Sequence, residues 1–206
     1  MIRIDEATVV LDEVTLLAPT SLAVAEATIH AVRGANGAGK STLLALMAGM
    51  RTPTSGRVTV TDRSPDTRQK WFRRQVAALL SPPVVAPDLT VQEHLALIAT
   101  SWREADPAAR ARSELERWHI ADLARRFPHE LSSGQRQLFA LATAFVRPSD
   151  VLVLDEPEQR LDADRRALLV TAIRERRAHG TTVVMATHAD DVAAAADAVT
   201  WLDQTG

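Results

Sequence analysis

Gly34-Ala35-Asn36-Gly37-Ala38-Gly39-Lys40-Ser41-Thr42, the stretch GANGAGKST, follows the run ATIHAV and precedes apolar positions Leu43, Leu44, Leu46 and Met47 at helical spacing. This is the spacing of the P-loop, whose glycines let the backbone turn until successive N–H groups point inward at phosphate oxygens. A strand before and a helix after complete the context, because the helix presents its positive end to the same anion. Lys40 is expected to reach the β and γ phosphates of a nucleotide, and the Ser41 hydroxyl to ligate Mg²⁺. Thr42 is expected to hold the phosphates nearer the base. An ordinary glycine-rich turn would explain the glycines but not the strand and helix that flank them.

A second motif, VLVLDEP over 151–157, is an apolar strand that ends in two carboxylates. An aspartate at such a strand end helps hold Mg²⁺ in P-loop proteins, which assigns Asp155 to the metal. The adjacent Glu156 is placed to orient or deprotonate an attacking water, since phosphoryl transfer asks mainly for positioning and charge stabilisation. His188 follows the strand TTVVMAT at its carboxyl end, the rim where open parallel sheets bind ligands. It reads as a γ-phosphate or water contact or, equally, as a surface or capping histidine. His30, His94, His119, His129 and His179 lack such placement and take a structural reading.

Around these motifs the chain alternates in character. The first thirty residues read as two or three strands, broken at Ala18-Pro19; RVTVT and QVAALL read as further strands. Between Pro82 and Arg147 the segments TVQEHLALIATSW, DPAARARSELERWHI and the stretch after Ser133 all read helical, with Pro107 in a first turn. Strand and helix then alternate again through DVLVLDEP, a helix from about Asp162 to His179, TTVVMAT, a short alanine-rich helix and AVTWLD. The expectation is one domain over 1–206, with an α/β core of 1–81 and 148–206 and a helical subdomain of 82–147. The chain stops just after its last strand, so no regulatory tail is expected.

Composition excludes several alternatives. The formal charge of −2 advertises no basic face, and nucleic acid is not an expected partner. Cysteine is absent, which removes disulfides and thiolate metal sites and suits a reducing compartment. The start MIRIDEATVV carries acids where a signal peptide needs basic residues, and no run approaches about 18 apolar residues. Trp102, Trp118 and Trp201 are expected to pack, and RERRAH near a helix end to form a solvated face.

LSSGQ, at Leu131 to Gln135, is a second serine- and glycine-rich helix start with anion-binding geometry. A symmetric pair of chains gives it a purpose: each offers Ser132, Ser133, Gly134 and Gln135 to the nucleotide in the other's P-loop, for two sites per dimer.

In order and context, GANGAGKST, LSSGQ, VLVLDEP, RLD and the histidine of ATH resemble the ATP-binding cassette (ABC) ATPases over practically the whole chain. LSSGQ is similar to the signature that separates them from other P-loop kinases and GTPases. The resemblance implies a P-loop NTPase (RecA-like) core with a mainly parallel sheet, an N-terminal antiparallel β subdomain and an inserted α-helical subdomain. It implies ATP hydrolysis in a head-to-tail dimer, Ser132 and Gly134 meeting the γ-phosphate in trans and Asp162 of the D-loop lining the facing site. Motion would pass through the helical lobe to a separate transmembrane permease, the second cassette being a copy or a paralogue. The chain is then cytoplasmic, peripheral on the inner face of the membrane through its permease. Compact size resembles exporter-type cassettes. Two rival readings stay open: a soluble cassette acting on ribosomes or DNA, and a nucleotide-gated module with weak hydrolysis.

Two departures stand out. Ser81 occupies the position of the family's Q-loop glutamine, a shorter ligand that a Mg²⁺-bound water could extend, and slower coupling is expected. The aromatic that stacks on adenine has no candidate, since the chain has no tyrosine and its first aromatic is Trp71. Stacking on a base is worth about 1–3 kcal/mol elsewhere, so affinity is expected to fall by roughly one or two powers of ten unless aliphatic packing or Arg3 compensates.

Overall fold

The computed structural model describes residues 1–203. The chain divides into two compact units, one of Met1–Leu80, Ser149–Glu158 and the chain from Leu169 onward, the other of Ser81–Pro148 and Gln159–Leu168.

The first unit is built on two sheets. β1 (Ile2–Leu11), β2 (Val14–Val24) and β4 (Ser55–Val60) form an antiparallel sheet in the order β2-β1-β4. Ala18-Pro19 does not break a strand, contrary to the sequence reading: β2 runs through it, and the chain reverses instead at Asp12 and Glu13, both at positive φ. The reason is position. β2 lies at the sheet edge beside β1 alone, and Pro19 falls where the β1–β2 register shifts between Ala7↔Thr20 and Val9↔Leu17, outside the paired positions.

The second sheet is parallel, with strands β5 (Val76–Leu79), β6 (Val151–Asp155), β7 (Thr182–Ala186), β3 (Ile29–Gly34) and β8 (Ala198–Leu202) in the order β5-β6-β7-β3-β8. Its central strands are buried on both faces, so they read as continuous apolar runs rather than alternations. Helix α1 (Lys40–Met47) lies between the sheets, and its Leu43, Leu44, Leu46 and Met47 share one core with Ile2, Ile4 and Leu17 and with Val151, Val153 and Val184. A short helix, α2 (Lys70–Gln75), precedes β5 and escapes sequence reading. It has no capping side chain and one buried residue, Phe72, so neither caps nor periodicity announce it.

The second unit is helical: α3 (Val91–Ser101), α4 (Pro107–Arg117) and α5 (Ser133–Phe145), with short 3-10 turns at Ala121–Leu123 and Pro128–Glu130. Thr90 and Glu93 form a capping box for α3, and Asp106 caps α4 with Pro107 in its first turn. Trp118 is fully buried edge-on against Phe145, while Arg110 donates to the Phe145 and Val146 carbonyls at 2.9 and 3.0 Å. Those carbonyls end α5, where the helix itself supplies no donor. The last helices are α6 (Ala163–Ala178) and α7 (Asp190–Ala193).

Trp201 departs from expectation. It is 65% exposed on β8, with the Arg33 guanidinium 5.0 Å from its ring centroid. No helix among the described residues is long and apolar enough to cross a membrane.

Candidate functional site

In the first unit the carboxyl ends of three adjoining strands, β6, β7 and β3, carry the motifs. The loop after β3 turns through Gly37 at φ 84° and Gly39 at φ 92° into α1. Gly39 is required twice over: that φ disfavours other residues, and a Cβ there would lie 2.8 Å from the Leu16 carbonyl oxygen. A Cβ on Gly37 would enter open space. Lys40 is buried, its ammonium donating to the Gly34 and Ala35 carbonyls at 3.0 and 2.9 Å. The loop, Lys40, Ser41, Thr42, Glu156 and the aliphatic stretch Val14-Thr15-Leu16 line a cleft of about 430 Å³.

Asp155 is half-buried at the end of β6. Burial pushes its carboxyl above the usual range; a hydrogen bond from the Ser41 hydroxyl opposes this, Glu156 and Glu158 reinforce it, and Lys40 counters. Glu156 sits at φ 45°, a conformation few non-glycine residues adopt, and its N–H donates to the Ala186 carbonyl of β7 at 2.9 Å. Its Oε1 lies 3.5 Å from Nε2 of His188. Thus β6 and β7 bring together the carboxylate and histidine that are 32 positions apart by residue number.

Sequence reading missed two residues here. Glu158 Oε1 accepts from the Thr187 hydroxyl, from the His188 N–H at 3.0 Å and from the Ala189 N–H at 3.4 Å. Arg33 donates to the His188 carbonyl at 3.2 Å and pairs with Asp190 at 2.8 Å. Arg33 had a faint signal in preceding Gly34 directly; Glu158 had none.

The other expected site residues belong to the second unit. Ser132 caps α5 through the Gln135 N–H at 3.3 Å, and the Gln135 side chain accepts the Ser132 N–H at 2.9 Å. This capping box leaves the N–H groups of Ser133 and Gly134 without an intrahelical acceptor, as in any first turn. Gly134 also has a packing reason, since a Cβ there would lie 2.8 Å from Arg165 Nη1 and 3.1 Å from the Arg160 carbonyl. Asp162 accepts the Arg165 N–H at 2.9 Å, next to the start of α6. Ser81 is exposed and is followed by Pro82 and Pro83.

The residues fit a nucleotide and a hard cation. Inward-turning glycines and a buried ammonium suit polyphosphate. A half-buried carboxylate beside a hydroxyl offers the oxygen ligands that Mg²⁺ prefers, and Mg²⁺ takes its remaining ligands from phosphate and water. No cluster of three His, Asp or Glu among the described residues could hold a metal unaided. Aliphatic Val14 and Leu16 line the cleft in place of an aromatic, and Arg3 is not among its lining residues.

The raised Asp155 carboxyl predicts a pH effect. Between the ordinary value of 3.8 and its higher folded value the folded chain binds more protons than the unfolded one, so stability falls as pH rises through that window. Asp155→Asn removes the titration. Its melting temperature without ligands is expected above the parent's at pH 7, the gap narrowing as pH is lowered toward 4; melts across that range check it.

A family model described as "ABC transporter" matches residues 17–159. The putrescine transport ATP-binding protein PotG of Escherichia coli is 36% identical over 82% of this chain and 45% of its own length. The Fe(3+) ions import ATP-binding protein FbpC of Brucella melitensis is 35% identical over 88% of this chain and 52% of its own. The chain therefore spans about half the length of these two relatives. The thiamine import ATP-binding protein ThiQ of Rhizobium meliloti is 37% identical over 85% of this chain and 75% of its own. Among solved structures, the dimeric post-hydrolysis state of the ATP-binding cassette MJ0796 bound to ADP and Pi shares the fold at a TM-score of 0.89 and 22% identity, covering 100% of this chain and 97% of that one. An ATP-binding subunit of an ABC transporter matches at 0.88 and 25% identity over 100% and 88%. FbpC and ThiQ are named as import proteins, so the exporter-type expectation, which rested on compact size and the missing tail, is not supported.

Proposed function

The chain belongs to the ABC transporter family, and from that premise we propose that it is an ATP-hydrolysing subunit working as a head-to-tail pair to drive uptake through a separate membrane permease. The observation that carries the reading is the gathering of Asp155, Glu156 and His188 at adjoining strand ends, with Lys40 at the start of α1 in the cleft that Glu156 also lines and Glu156 and His188 3.5 Å apart.

In this reading the amides of Gly34 to Thr42 and the Lys40 ammonium bind the β and γ phosphates of ATP. Ser41 and Asp155 would hold Mg²⁺, which supplies charge neutralisation on the phosphate oxygens. Glu156 takes the proton of the attacking water or orients it, and His188 holds the Glu156 carboxylate and the γ-phosphate in line. Val14 and Leu16 pack the base. Ser132, Ser133, Gly134 and Gln135 complete the site of the second cassette, with Asp162 at the same seam. The permease is expected on the helical unit, whose apolar cleft of about 350 Å³ is lined by Pro82, Pro83, Val85, Pro128 and Phe139 beside Ser81. The subunit would then sit on the cytoplasmic face of the membrane.

Mixing two defective chains tests the pairing. Lys40→Ala spoils the P-loop, and Gly134→Val thrusts a branched side chain toward the Arg160 carbonyl. Each alone is expected to release phosphate at a small fraction of the parental rate. A 1:1 mixture is expected to recover about a quarter of it, because half the dimers are mixed and each has one intact site of two. No recovery above the separate chains would contradict composite sites.

A further inference from the structure

We infer that Glu158 and Arg33 are positioning residues that grip the backbone of His188 from both sides and so set its imidazole against Glu156. The inference rests on the proposed role of His188.

His188 lies in Thr187-His188-Ala189, between β7 and α7, with no strand or helix to fix its dihedrals. Its ring is 46% exposed, so packing does not fix it either. Side chains from neighbouring strand ends supply the constraint. Glu158 accepts the His188 N–H at 3.0 Å, and Arg33 donates to the His188 carbonyl at 3.2 Å. Glu158 also takes the Thr187 hydroxyl and the Ala189 N–H. The Thr187 hydroxyl oxygen shares the Ala189 N–H at 3.1 Å, so Glu158 and Thr187 together hold the turn that leads into α7. Charged acceptors and donors make the stronger hydrogen bonds, and here both ends of one residue's backbone meet one.

The two jaws are themselves anchored. Glu158 stands two residues beyond Glu156 on the same turn, so one strand end carries both the proposed base and the anchor of its histidine. Arg33 pairs in register with Trp201 on β8, lies over that ring at 5.0 Å and bonds Asp190 at 2.8 Å. It also directly precedes Gly34, so the histidine and the phosphate loop share a fixed point. Trp201, otherwise an exposed aromatic without a purpose, becomes the surface that holds Arg33 flat.

A cycle of variants tests this by steady-state phosphate release and equilibrium binding of a non-hydrolysable ATP analogue. Glu158→Ala is expected to lower kcat about tenfold with analogue affinity unchanged, and Glu158→Gln, which keeps an acceptor oxygen, to recover most of the loss. If Glu158 acts through His188, the Glu158→Ala/His188→Ala double variant is no slower than His188→Ala alone. Losses that multiply in the double variant, a Gln variant as slow as the Ala variant, or a loss confined to analogue binding would each overturn the inference while leaving the proposed function standing. A His188→Ala chain at full speed would instead refute the role of His188 and the inference with it. Arg33→Gln runs the same cycle from the other jaw and decides between these outcomes should Glu158→Ala fail to fold.

Discussion

Glu156→Gln is expected to bind MgATP with near-parental affinity, to release phosphate at least about 100-fold more slowly and to accumulate as a nucleotide-bound dimer. The amide keeps the shape of the side chain and an oxygen to face water, but has no basicity for its proton. Affinity should survive because the phosphate contacts come from Lys40 and the loop amides, on a different strand end. The dimer should persist because the step that would release it is the one removed. The unusual φ of 45° is expected to remain, since the Glu156 N–H to Ala186 hydrogen bond does not involve the side chain. Steady-state phosphate release and size exclusion with and without MgATP check both halves. Undiminished turnover would take the role of base away from Glu156.

Lys40→Ala is expected to act on binding instead, weakening ATP affinity by about 100-fold or more. Lys40 is 6% exposed, so its charge works in a poorly solvated setting where a bond to phosphate is strong. Truncation also leaves the Gly34 and Ala35 carbonyls without the donor that holds them. Hydrogen bonds from a charged donor contribute to stability, so some loss of thermal stability should accompany the loss of affinity. Lys40→Arg should recover little, because a planar fork cannot reproduce a compact ammonium reaching between two carbonyls. Calorimetric titration with ATP analogues and melting curves measure the two effects separately. A Lys40→Ala chain that binds ATP normally would remove the P-loop from the proposal.

The α/β class and the P-loop were legible because they depend on local rules. A glycine pattern between a strand and a helix has few uses, and the apolar runs of β6 and β7 announce strands buried on both faces. Ser132 with Gln135, and Thr90 with Glu93, are read three residues apart as helix starts. The missed features depend on neighbours distant in sequence. Whether Pro19 breaks a strand depends on which strand is at the edge. The exposure of Trp201 follows from β8 being the outermost strand of its sheet. Glu158 and Arg33 matter only because β6 and β3 both flank β7, whose end they hold. No spacing rule connects Arg33 to His188 across 155 positions.

Pro19 has a further consequence. β2 is one of the two outer margins of the three-stranded sheet, and such margins invite stray strands to add on and seed aggregates. An imino acid in the middle of that margin withholds one amide hydrogen from any strand that tries to zip alongside. It helps keep the margin from recruiting another polypeptide, a safeguard against fibril-like growth.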